Sequence, residues 1–164
     1  MRINLHGLIN FFKINMKTNE YQLAEIQVSY NSNLKLKQKI TSGDDAFKIL
    51  IHNWNLDTIE LQEEFKVVLL NKANIVLGIY PMSRGGTSGT VVDIKLLFSV
   101  ILKCNASAII ISHNHPSGNL KPSLADEKIT SRIKECANLL DITLLDHLII
   151  TKDGYYSFSN EKFI

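Results

Sequence analysis

The chain has 164 residues, of which 45% are hydrophobic and 21% charged, a composition typical of one globular domain that can bury a core. Its formal net charge of +2 is too small to indicate nucleic-acid binding by itself. The apolar runs fall far short of the ~20 residues that cross a bilayer, so we expect no membrane span. Cys104 and Cys136 form no CxxC pair, which predicts two buried thiols in a cytoplasmic protein.

The N-terminal segment does not look like a signal peptide. Lys13 interrupts its apolar residues, and no small-residue cleavage site follows. Met16 begins a more conventional polar start. We therefore predict that residues 1–16 are a disordered extension or a start-codon artefact. Residues 17–164 are predicted to form a single domain.

The first predicted elements are a strand, a helix and a hairpin. A strand is predicted around residues 23–30, and TSGDDAFKILIHNW then has apolar residues at helical spacing behind a cap at Ser42 or Asp44. Residues 64–71 and 74–80 are apolar and rich in β-branched side chains, and two residues separate them. This arrangement predicts a β-hairpin, and SRGGTSG after it predicts a flexible loop.

The second half of the chain alternates helices and strands. Asp93 is a predicted cap for IKLLFSVILKC, whose apolar character nearly all round predicts a helix buried in the interior. SAIIIS predicts a central strand that is buried on both faces. An amphipathic helix follows from Ser123, and ITLLDHLII and YYSFS predict two last strands. The order of elements predicts an α/β domain with a mixed β-sheet flanked by helices.

Two histidines directly after the central strand are candidate metal ligands. His113 and His115 are two residues apart, so an extended chain projects both imidazoles to the same side. A turn follows, and it brings Asp126, in the first turn of the next helix, back toward the strand end. Two nitrogens and one oxygen, with a fourth position for water, match a catalytic site for one zinc ion. Zinc would lower the pKa of that water to about 7.

Each part of this constellation also has a simpler explanation. Ser123 followed by Asp126 resembles a helix capping box. A pair of histidines at a strand end can be exposed and inert. The histidine pair, the turn and the SxxD spacing together favour the metal site.

The same residues resemble a known family. HNHPSG at residues 113–118 and PSLAD at residues 122–126 resemble the JAMM metal motif of JAB/MPN domains, and specifically the RadC family. The resemblance covers a metal-motif core of about residues 63–158, including LDH at residues 145–147. It implies a JAB/MPN-type fold, which is related to that of cytidine deaminases. Deaminase activity is excluded, because the chain lacks H-x-E followed by P-C-x-x-C.

The resemblance also implies catalytic roles. Glu64 is the best match to the family's general base, and Glu63 is the alternative. Ser123 is implied to stabilise the oxyanion formed during amide hydrolysis. His147 is predicted to be a structural histidine, with support of a metal ligand as the alternative. The implied activity is that of a zinc metallopeptidase or isopeptidase acting on a peptide or protein.

The chain departs from the family pattern in two places. Many relatives carry Pro-Arg-Glu where this chain has Ile94, Lys95 and Leu96. The residues before Glu64 also lack the paired glycine hairpins of a helix-hairpin-helix region, so duplex binding is not supported. A DNA-processing or DNA-repair-associated module and a non-catalytic interaction domain remain the alternatives. The complete set of metal-motif residues counts against the interaction domain.

Overall fold

The computed structural model describes residue 30, residues 38–86 and residues 91–164. The predicted extension over residues 1–16 lies outside these ranges, as does all but the last residue of the strand predicted around residues 23–30. In chain order the elements are α1 (Gly43–His52), β1 (Glu64–Leu70), β2 (Val76–Arg84), α2 (Ile94–Lys103), β3 (Ala108–Asn114), α3 (Leu124–Leu139), β4 (Thr143–Ile150) and β5 (Tyr155–Ser157).

The strands form one mixed sheet in the order β2-β1-β3-β4-β5. β1 pairs antiparallel with both β2 and β3, and β4 pairs antiparallel with β5. β3 and β4 are parallel, and α3 provides the crossover that a parallel connection requires. Every residue of β3 is buried, which confirms the predicted central strand. The mixed α/β fold is likewise confirmed.

The sheet buries two faces against different helices. Successive side chains of a strand point to opposite faces, so each strand contributes to two separate clusters. The site face, named for the residues described below, packs against α2 and α3; its strand residues include Phe65, Val67, Ile109 and Ile111. The α1 face packs against α1; its strand residues include Val68, Leu70, Ile110 and Leu148.

The predicted helix boundaries agree closely with the structure. The side chains of Ser42, Asp93 and Ser123 each accept a hydrogen bond from the first turn of a helix. The hairpin of β1 and β2 is confirmed, although β2 continues to Arg84 into the predicted loop. Within the described ranges, no helix has the length and apolar character needed to span a membrane.

Two predictions of burial are wrong. The α2 helix is not surrounded by the core: Leu97, Phe98 and Ile101 are buried, whereas Leu96 is 43% and Leu102 55% exposed. The helix covers the site face with one side only, so its apolar residues on the other side face outward. Both cysteines are free but only partly buried.

Candidate metal centre

Three predicted ligands converge at the end of β3. His113 is the next-to-last residue of that strand, His115 follows it, and Asp126 lies in the first turn of α3. The Nε2 atoms of His113 and His115 are 3.0 Å apart. Asp126 Oδ1 lies 3.2 Å from His113 Nε2, and Asp126 Oδ2 lies 3.7 Å from His115 Nε2. One atom from each residue falls within 4.8 Å of the others, close enough to hold one metal ion.

The turn after β3 orients His115. His115 Nδ1 lies 2.6 Å from the carbonyl oxygen of Asn119, and a carbonyl oxygen only accepts, so the ring donates from Nδ1. In the neutral ring, Nε2 then keeps its lone pair. Gly118 has a φ of +75°, a left-handed conformation that glycine adopts at little cost. The turn therefore points a metal-binding nitrogen at His113 and Asp126.

The electrostatics of the cluster fit a cation. Burial raises the pKa of Asp126, but the close contacts of its carboxylate with His113, His115 and Ser123 outweigh burial and hold that pKa well below its usual range. The pKa of His115 is raised, chiefly by its hydrogen bond to Asp126, with a smaller contribution from the charge of Glu63. A carboxylate facing two imidazole nitrogens attracts positive charge, and two nitrogens with one oxygen are common zinc ligands.

Ser123 and Asp126 form the capping box as well as part of the cluster. The backbone N–H and the hydroxyl of Ser123 both donate to Asp126 Oδ2, each at 2.7 Å. Asp126 N–H donates in return to Ser123 Oγ at 3.2 Å. The helix cap therefore holds the carboxylate in place, so capping and metal binding are compatible. The oxyanion role of Ser123 stays a prediction, because its proton is directed to Asp126.

His147 contacts His113 through Nδ1, the ring nitrogen of His113 that does not face Asp126. Its Nε2 lies 2.8 Å from His113 Nδ1, and its Nδ1 lies 2.6 Å from Thr130 Oγ1. Burial lowers the pKa of His147 well below its usual value, so the ring stays neutral. His147 is therefore a buried histidine with partners on both nitrogens, as the structural role predicts, and one of these partners is the candidate ligand His113. Thr130 was missed in the sequence, although it follows Asp126 by four residues on the same face of α3.

Glu64 points away from the cluster. Its carboxylate is 3% exposed and lies 3.4 Å from Lys66 Nζ and 3.2 Å from Arg84 Nε. Lys66 Nζ also donates to Asn53 O and lies 4.1 Å from the centroid of the Trp54 ring. Trp54 belongs to the cluster of the α1 face. Glu64 is therefore committed to an ion pair on the opposite side of the sheet.

Glu63 lies on the same side as the ligands. It lines a cleft of ≈ 270 Å³ together with His113 and Asp126, and it is half-buried. The other residues that line this cleft are Phe65, Val91, Val92, Ala125, Ile129 and Arg132. The geometry favours Glu63 over Glu64 as the proton carrier, a role that stays a prediction for either residue.

Asn114, between the two histidines, fixes the segment that carries Glu63. Its amide nitrogen donates to the carbonyl oxygens of Ile59 and Gln62 at 2.6 and 2.9 Å, and its Oδ1 accepts from Glu64 N–H at 2.7 Å. Asn114 is fully buried. Asn114 was not predicted as a site residue from the sequence, although its position between the two histidines was an available signal. Its contacts tie the start of β1 to the end of β3.

Comparison with known proteins identifies relatives over most of the chain. Residues 40–163 match the family model described as "RadC-like JAB domain". A "UPF0758 protein" of Flavobacterium johnsoniae is 49% identical over 129 residues, which cover 78% of this chain and 54% of the relative. One from Clostridium beijerinckii is 43% identical over 127 residues, covering 77% and 54%.

A more distant relative matches a longer part of the chain. A "UPF0758 protein" of Staphylococcus haemolyticus is 35% identical over 155 residues, which cover 94% of this chain and 66% of the relative. The aligned part is about half the length of the Flavobacterium and Clostridium proteins. None of the three names states an activity.

Proposed function

Because the chain belongs to the RadC-like JAB domain family, we propose that it is a zinc-dependent hydrolase that cleaves amide bonds, as metallopeptidases and isopeptidases do. The observation that carries the proposal is the convergence of His113, His115 and Asp126 beside a cleft that His113 and Asp126 line together with Glu63. The substrate in this proposal is a peptide or a protein. The proposal concerns this domain, since the relatives are about twice as long as the aligned part.

The residues of the chain divide the work of hydrolysis among them. His113, His115 and Asp126 would hold the ion. An ion held there would supply an activated water at neutral pH and Lewis-acid polarisation of the substrate carbonyl. Glu63 takes a proton from the attacking water on its carboxylate and passes it to the leaving amine. Ser123 holds Asp126 through two hydrogen bonds, one from its backbone N–H and one from its hydroxyl. To stabilise the oxyanion, the hydroxyl would turn its one proton from Asp126 to the substrate, while the backbone N–H keeps the carboxylate in place.

The two neighbouring glutamates provide the test of this assignment. We expect Glu63→Gln to lower amide hydrolysis by roughly 10²- to 10⁴-fold, the range for loss of a general base, while one zinc ion per chain is retained. Glu64→Gln is the matched control, and it should retain activity in the folded protein. The reverse result would return the proton-carrier role to Glu64. Activity is measured on a panel of peptides and isopeptide-linked proteins.

Metal content provides a second test of the proposed function. Purified protein supplied with zinc should bind one ion, and His113→Ala should lose it. A wild-type protein that binds no zinc would overturn the proposal. Phosphodiester cleavage that depends on His113, without any amide hydrolysis, would replace it with a DNA-processing role.

A further inference from the structure

Three consecutive hydrogen bonds connect Nδ1 of His113 to buried residues. His113 Nδ1 lies 2.8 Å from His147 Nε2, and His147 Nδ1 lies 2.6 Å from Thr130 Oγ1. The hydroxyl of Thr130 in turn lies 2.5 Å from the carbonyl oxygen of Asp126. His147 and Thr130 are fully buried, and His113 is 2% exposed. Both ends of this chain of contacts are therefore candidate metal ligands.

The last contact determines the direction of the others. A carbonyl oxygen only accepts, so the one proton of the Thr130 hydroxyl is donated to Asp126 O. His147 must then donate from Nδ1 to Thr130 Oγ1. A neutral imidazole that donates from one nitrogen accepts at the other, so His147 Nε2 accepts from His113 Nδ1–H. This leaves the lone pair of His113 Nε2 directed at His115 and Asp126.

We propose that His147 and Thr130 are positioning residues that hold His113 in the tautomer whose Nε2 is free to bind the metal. The inference rests on the metal site of the proposed function but not on the reaction. In the opposite arrangement, Thr130 would donate to His147, His147 to His113, and the proton on His113 Nε2 would block the metal position. The Asp126 carbonyl disfavours this arrangement, because it takes the Thr130 proton.

The surroundings of His147 leave it few other partners. The ring of Phe158 stacks on His147 with centroids 4.7 Å apart and planes 11° apart. Phe65 lies against both histidines, with centroids 6.2 Å from His113 and 5.9 Å from His147. Phenyl rings offer no conventional donor or acceptor, so among the described residues the nitrogens of His147 form hydrogen bonds only with His113 and Thr130. Hydrogen bonds of this kind typically raise metal affinity by 10- to 100-fold.

The test compares Thr130→Val with Thr130→Ser. Valine matches threonine in shape but lacks the hydroxyl, and serine keeps it. We expect Thr130→Val to weaken zinc binding by roughly 10- to 100-fold, as for other partners of metal ligands, and Thr130→Ser to stay near wild type. Affinity is measured by competition with a chromophoric chelator. Equal affinities of the valine variant and wild type would overturn the proposal.

A second buried threonine supplies the control for packing. Thr151 is 6% exposed, and its hydroxyl donates to the carbonyl oxygen of Gly154, in the turn before β5. Thr151→Val should lower stability without changing zinc affinity. A fall in zinc affinity equal to that of Thr130→Val would show that general loosening explains both and would overturn the proposal.

The tautomer of His113 can be measured directly in the wild-type protein. Long-range ¹H–¹⁵N NMR of the metal-free protein at about pH 8 distinguishes the two imidazole tautomers. We expect His113 to carry its proton on Nδ1, and Thr130→Val to populate the other tautomer. A proton on Nε2 in wild type would overturn the inference even if zinc binds. Absence of amide hydrolysis would count against the proposed function while leaving the tautomer result intact.

Discussion

Asp126 on the site face and Asp146 on the α1 face are both shielded carboxylates, but their partners differ in kind. Asp146 accepts from the Ser157 hydroxyl and from the backbone N–H groups of His147 and Ser159. These donors do not ionise near neutral pH, and burial raises the pKa of Asp146. The Asp146 carboxylate therefore joins strands, and nothing among these contacts calls for a metal.

Asp126 faces the Nε2 atoms of two imidazoles, which are nitrogens that can bind a metal ion. Its contacts with His113 and His115 hold its pKa well below the usual range, despite burial. Glu63 and Glu64 differ in the same way, although they are neighbours in the chain. Glu63 lines the cleft of the candidate site, whereas Glu64 forms a structural ion pair on the other face. Imidazole partners, which can bind a metal ion, distinguish the carboxylate of Asp126 on the site face. On the α1 face, the partners of Asp146 and Glu64 are hydrogen-bond donors and cations that pair with the carboxylates without a metal.

The largest expected effect would break the α1-face ion pair. Glu64→Gln should lower the free energy of unfolding by about 3–5 kcal/mol, because it leaves the charge of Lys66 buried without its carboxylate. The double variant Glu64→Gln with Lys66→Met should recover most of that loss. Glu63→Gln, on the half-exposed side, should change stability by under about 0.5 kcal/mol. Urea unfolding measures all three, and equal losses for the two glutamates would contradict the assignment of faces.

A smaller effect is expected at Asn114, which ties the start of β1 and the segment before it to the end of β3. Asn114→Ala leaves the carbonyl oxygens of Ile59 and Gln62 and the N–H of Glu64 without their partner. Such orphaned groups predict a loss of about 2–4 kcal/mol. We expect zinc binding to survive and activity to fall, since Glu63 loses its anchor. Full activity in the folded variant would show that Asn114 does not position Glu63.

The smallest effect is a pH dependence of the metal-free protein. The pKa of His115 is raised by Asp126, so the stability from this contact is fully present below about pH 6.5 and lost as pH rises through the folded value. We expect the melting temperature in chelator to fall from pH 6 to pH 8. Asp126→Asn should flatten that slope. A zinc-loaded sample should show the opposite trend in metal affinity, because the ligands must lose protons.

The lowered pKa of Asp126 sets its pH window apart from this histidine effect, and the pKa of Asp146 shifts in the opposite direction. The lowered pKa of Asp126 contributes stability that is present above pH 3.8 and lost only as pH falls through the folded value far below it. Asp146 has a raised pKa, so its contribution is lost as pH rises from about 3.8 through the folded value. A slope between pH 6 and 8 that persists in Asp126→Asn would therefore contradict the assignment to His115.

The convergence of the three candidate ligands was predictable from sequence because their spacing is local. His113 and His115 share a side of an extended chain, and the cap at Ser123 fixes where Asp126 begins its helix. The choice between Glu63 and Glu64 was not predictable in the same way. Every residue of β1 is buried, so its hydrophobic pattern carries no alternation to tell the two faces apart.

The helix α2 illustrates the opposite difficulty. Its composition is apolar nearly all round, yet Leu96 and Leu102 are exposed. Composition reports what a helix can bury, whereas the neighbouring elements decide which side is covered. The partners of His147 also depended on tertiary contacts, since 34 residues separate it from His113.

The central position of β3 has a consequence for how fast the site opens. His113 lies in a strand that is paired on both sides, so its amide hydrogen should exchange with solvent among the slowest in the domain. His115 belongs to a turn and Asp126 to the first turn of a helix, where local opening costs less. A bound ion would therefore leave when the turn opens, while the strand end keeps its shape for the next ion.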